Sequence, residues 1–174
     1  MLRSIATDDV LEVQHWCREY EQTNAYPVGG AHIRYAIAIY QLYQAMTCSD
    51  ARVGDVTLPT NRSEALAAAA LNFVMVAETW NAPLEAYIDR NVLKQERKPI
   101  SWEQLLLDIA AAQQHVFYGY VINQNSSARA RRRFDLQSLA QHLTHIITAL
   151  VLEIPQQQRV AALEAAMDIL VGRI

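Results

Sequence analysis

Between residues 65 and 77 the sequence runs ALAAAALNFVMVA, and Asn72 is its only polar residue. The rows Leu66, Ala70, Phe73, Ala77 and Ala67, Leu71, Val74 recur at helical spacing and cover most of a helix circumference. Such a helix has no face to give to water, so it belongs at the centre of a bundle or in an oligomer interface. The run is too short for a membrane span, which takes about 20 apolar residues. The rest of the chain must therefore supply helices that surround it.

Periodicity near 3.6 recurs throughout, and no segment alternates convincingly with a period of two, so the fold class is all-α, a bundle of about seven helices in one domain, 1–174. Thr7 can cap a first helix with Asp8 and Asp9 in its first turn and Val10, Val13, Cys17 and Tyr20 as its stripe. A loop with Pro27, Gly29 and Gly30 precedes a second helix from about 31 to 46. This helix carries two apolar rows, Ile33, Ile37, Tyr40 and Tyr35, Ile39, Leu42, Met46. The third helix spans about 62 to 80. Pro83 suits the first turn of a short fourth, reaching about 94 through Leu84, Tyr87, Ile88 and Val92.

Ser101-Trp-Glu-Gln104 reads as a capping box, opening a helix to about 122. Another ends near 153, with Leu139, Leu143, Ile146 and Leu150 inside, and Pro155 begins the last. The order of elements after Pro27 is repeated after Pro99, so the halves read as pseudo-repeats over about 27–94 and 99–172, two helical hairpins able to pair as a four-helix bundle.

Apolar residues make up 52% of the chain and charged ones 19%. That is rich beside the usual 45–50% apolar share, and the surplus points to self-association or a protein partner. Phe73, Trp80, Tyr87 and Tyr118 are the interface candidates. Cys17 and Cys48 fit no zinc or disulfide pattern and read as reduced thiols, and the N-terminus shows no signal-peptide h-region, so the expected location is the cytoplasm. A net charge of −3 disfavours a general nucleic-acid coat. Arg129, Arg131, Arg132 and Arg133 are a local exception, able to hold phosphate oxygens.

Three histidines and one acid could carry chemistry. His142 and His145 lie one turn apart, and with His115 or Asp108 they make a weak candidate metal site. Asp108 and His115 share a face two turns apart, which also admits an acid–base reading. Against both stands a solvated polar strip, the ordinary use of such residues.

Glu64-Ala-Leu-Ala with Pro83-Leu-Glu-Ala-Tyr87 in the first half, and Ser138-Leu-Ala-Gln with Leu163-Glu-Ala-Ala in the second, resemble the hairpin and following short helix of the all-α nucleoside triphosphate pyrophosphohydrolases of the MazG type. The resemblance covers most of residues 31–170 and is carried largely by Leu and Ala. It implies a four-helix core and, in active members, Mg²⁺ held by Glu-x-x-Glu and Glu-x-x-Asp acids. Here the Glu-x-x-Asp positions are Ala65 and Ala68, and Ser138 and Gln141. The long helix carries Ala111, Ala112, Gln113, Gln114 and His115, with Asp108 nearby. The expectation is a non-catalytic helical scaffold that binds protein or nucleotide and needs no cofactor. Its alternatives are a Mg²⁺-dependent pyrophosphohydrolase assembled from Asp108, Glu78 or Glu85, and an adaptor contacting nucleic-acid phosphates through residues 129–133.

Overall fold

The structure, a computed structural model, describes residues 9–24, 30–47, 61–124 and 135–170. These residues form six α-helices and no strand: α1 Val10–Asn24, α2 Ala31–Thr47, α3 Arg62–Trp80, α4 Trp102–Gln124, α5 Leu136–Glu153 and α6 Arg159–Leu170. None of them is long and apolar enough to cross a membrane.

α3 is the axis. Every residue from Ala65 to Ala77 is buried, because α1, α2, α5 and α6 all pack against it. Four neighbours leave no direction for a polar stripe. Asn72, fully buried, donates to the Gln41 side-chain oxygen at 2.9 Å and to the Ala68 carbonyl at 3.0 Å, tying α3 to α2. At its start, the Asn61 side chain accepts from the Glu64 amide at 2.9 Å and donates to the Glu64 carboxylate at 2.8 Å. At its end, Asn81 takes the left-handed conformation, φ 52°, which a short amide side chain tolerates.

α2 packs on α3, α3 on α5, α5 on α4 and α4 on α2, so these four helices close a ring. Phe73 of α3 meets Tyr35 of α2 edge to face, with centroids 5.4 Å apart. The Tyr35 hydroxyl donates to the Ile109 carbonyl of α4, and burial pushes its pKa well above the ordinary tyrosine value. The segment after α3 contacts α5, and the helix after α5 contacts α3.

The expected short fourth helix is not an α-helix. The segment from Pro83 to Lys94 folds instead as two 3₁₀ turns, Leu84–Ala86 and Val92–Lys94. The Asp89 carboxylate accepts from the Asn91 amide at 2.9 Å and from Gln95 at 2.7 Å, a local turn that competes with helix continuation. The carbonyls of Val92, Leu93 and Gln95 all accept from the Arg159 guanidinium. Arg159 is wholly enclosed and also donates to Ile154 and Leu152. Six residues earlier in the sequence, buried Glu153 accepts from Arg62, from Arg97 and from the Ile100 amide. Arg159 and Glu153 thus pin residues 92–100 to the end of α5.

One cap also differs from expectation. Asp9 lies outside the first helix and accepts from the Leu11 amide at 2.9 Å, and Thr7 falls outside the described residues. α4 starts at Trp102 as the serine signals, while the Gln104 amide donates forward to Asp108 at 3.1 Å.

Candidate functional site

Two surface features converge on α4. The first is polar and faces α5. Asp108, only 4% exposed, accepts from Gln104 and lies 2.8 Å from His142 Nδ1 and 3.5 Å from His145 Nδ1. The His115 ring stacks on that of His142 at a centroid distance of 6.2 Å. All four candidate residues therefore come together across a chain separation of more than one helix. Burial works to raise the Asp108 pKa, but the hydrogen bonds from His142 and Gln104 and the charge of His145 outweigh it and hold the carboxyl below its ordinary range. An ionised carboxylate only accepts, so the proton on the bridging ring nitrogen of His142 sits on Nδ1.

Among the described residues no three His, Cys, Asp or Glu side chains converge as a set that could hold a metal ion. Both Nδ1 atoms are turned to one carboxylate oxygen of Asp108. Burial first, and then the neighbouring His142, lower the pKa of His115. The unfolded imidazole takes up a proton near pH 6.5, whereas the folded one does so only at lower pH. The unfolded state thus gains the extra proton, and stability present in full above about pH 6.5 is lost as the pH falls towards the folded pKa. Urea midpoints measured from pH 7.5 to 5 should fall, and His115→Gln should flatten that decline. An unchanged slope in the variant would remove His115 as its source.

The second feature is apolar. Ten large hydrophobic side chains are exposed among the described residues, and nine belong to α2 and α4. On α2 they are Ile33, Ile37, Tyr40, Tyr43 and Met46; on α4 they are Leu106, Leu107, Phe117 and Tyr118. The Tyr35–Ile109 hydrogen bond and the edge contact of His32 with Phe117 set the two helices side by side. No exposed position of α2 carries a charged side chain, and of the exposed α4 positions described only Glu103 does.

Of the four interface candidates, one lies on this face, Tyr118, 39% exposed. Phe73 is sealed inside the core, Trp80 is half-buried against it, and Tyr87 is exposed beyond the first 3₁₀ turn. The exposed α2 residues were not among the interface candidates, although the signal for their exposure was present in the sequence. A helix with two apolar rows needs neighbours on both sides, and α2, unlike α3, has an outer row with none over it among the described residues.

Ala65 and Ala68 are buried beneath neighbouring helices, and the Ser138 hydroxyl donates to the α5 cap Asp135. Glu78 receives Gln14 at 2.7 Å and Arg18 at 2.8 Å, and Glu85 shares the Gln14 amide at 3.2 Å, while Asp108 is engaged by histidines on α5. A cleft of about 540 Å³ opens at the start of α3, lined by Asn61, Arg62, Ser63, Glu64 and residues 157, 158, 161 and 162. The arginines Arg129, Arg131, Arg132 and Arg133 lie outside the described residues, as does Cys48; Cys17 is buried in the core. No family model, curated protein or solved structure matches this chain.

Proposed function

We propose that this chain is a non-catalytic helical binding protein of the cytoplasm, a degenerate MazG-like scaffold whose working surface is the outer face of α2 and α4. The observation that carries the reading is the placement of nine of the ten exposed large hydrophobics on those two adjacent helices. Monomeric proteins rarely leave contiguous apolar patches larger than a few hundred Å² open, and larger ones mark sites for protein partners.

The scaffold part of the proposal rests on the four-helix ring and its reciprocal connections. The segment after the first hairpin packs on α5 and the helix after the second packs on α3, as two pseudo-repeats over about 27–94 and 99–172 would do. Loss of metal chemistry is supported by the acids: alanines stand where one acid pair would be, and Glu78, Glu85 and Asp108 are each paired with cationic or amide groups.

Thermal unfolding against nucleoside triphosphates, with and without Mg²⁺, separates this reading from a pyrophosphohydrolase. A ligand at 100 times its dissociation constant would add about 2.7 kcal/mol of stability. A binding scaffold of this kind should show no Mg²⁺-dependent shift, and one that appears, together with pyrophosphate release, would replace it with the enzyme.

A further inference from the structure

We infer that the partner seated on the α2–α4 face is a second copy of this chain, joined about a two-fold axis so that α2 and α4 of each protomer pack on their counterparts. The inference rests on the reading of that face as the working surface and adds the identity of its occupant. Area is the first argument. The nine side chains are 37–61% exposed. Ile37 and Met46, nine residues apart, stand on opposite sides of α2, so at most eight of the nine share one face; at on the order of 100 Å² each these leave roughly 800 Å² of apolar surface, which matches the roughly 800 Å² per partner of a standard interface.

Charge is the second argument. A two-fold contact brings each patch against itself, so any charge near its centre meets a like charge. A partner of opposite charge would need a charged patch to read. The face offers neither: α2 exposes no charged side chain, and Glu103 stands at the edge, in the first turn of α4. An uncharged surface is compatible with its own image. Composition agrees, since Tyr40, Tyr43, Phe117 and Tyr118 supply the aromatic area that the centres of interfaces favour. The seam itself is fixed by Tyr35 and Ile109, beneath the exposed side chains, so the surface is presented by rigid elements.

Sedimentation equilibrium over a wide range of concentrations, on the wild-type chain and on an Ile37→Asp/Leu106→Asp variant, tests this directly. Both positions are solvent-facing, so the variant should keep the wild-type helical circular dichroism; if it does not fold, Leu106→Asp alone, at a position 61% exposed, replaces it. The expected result is a wild-type dimer and a variant whose dissociation constant rises on the order of 100-fold or more, as for charges forced into an apolar hot spot. A wild-type monomer at every concentration overturns the second copy. If that monomer also binds an apolar fluorescent dye and the variant does not, the face remains a site for a different protein. A dimer equally stable in both proteins overturns the face as well.

Discussion

Arg159→Met should lower the unfolding free energy by about 3–5 kcal/mol, because buried carbonyls left without donors are costly and a methionine supplies none. The guanidinium is fully buried and faces only main-chain oxygens: Ile154 at 3.0 Å, Leu93 at 3.1 Å, Val92 at 3.2 Å, Leu152 at 3.3 Å, and Gln95. Burial lowers its pKa, the direction expected where solvation is replaced by dipoles and no carboxylate. Leu152 and Val92 keep backbone donors from Lys98 and Gln95, whereas the other three oxygens depend on the arginine. Arg159→Lys keeps the charge but lacks the planar fork that reaches oxygens on both sides, so it should recover only part of the loss. Urea unfolding with an unchanged m-value reads the difference. A loss below about 1 kcal/mol in the methionine variant would mean that residues 92–100 are held by other contacts.

Phe73→Ala should cost about 3–5 kcal/mol, as for other buried phenylalanines whose removal leaves a cavity. The ring is enclosed and braces Tyr35, which in turn reaches the Ile109 carbonyl, so its loss loosens α2, α3 and α4 together. Tyr118→Ala, in contrast, should stay within about 0.5 kcal/mol in the isolated protomer, since its side chain is 39% exposed. Comparing the two by chemical denaturation separates a core aromatic from a surface one. Similar losses in both would place Tyr118 inside the packed core.

How much was legible depended on whether a feature is local. α3 was readable to its ends because thirteen consecutive positions without a polar stripe admit one environment. α2 and the start of α4 followed from loop signals and Ser101. The segment from Pro83 to Lys94 was not readable as turns. Its geometry is set by Arg159, 66 residues from Leu93, and an isolated proline followed by apolar residues at helical spacing looks the same either way. The forward bond of Gln104 is a similar case: its capping-box spacing is genuine, and the carboxylate of Asp108 one turn on offers its amide a charged acceptor.

For the site, sequence brought Asp108, His115, His142 and His145 into view, since each sits on the polar side of its helix. That Asp108 bridges His142 and His145 needed the packing of α4 on α5 across a separation of 34 residues. The apolar face was half-legible. The row Ile33, Ile37, Tyr40 was evident in the sequence, but which of the two α2 rows faces α3 is decided by Tyr35 finding Phe73 and Ile109. Buried aromatics such as Phe73 and exposed ones such as Tyr118 carry the same periodic signature, which is why both read as interface candidates.

Side-chain oxidation by hydroxyl radicals, compared between dilute and concentrated protein, tests the α2–α4 surface most directly. Tyr87 is exposed to 37% but lies off that face, so it serves as the internal reference. Tyr40 and Phe117, both 44% exposed in the protomer, should oxidise several-fold more slowly in the concentrated sample while Tyr87 keeps one rate. Rates for Tyr40 and Phe117 that track Tyr87 at every concentration would contradict the seating of a second copy of the chain on this face.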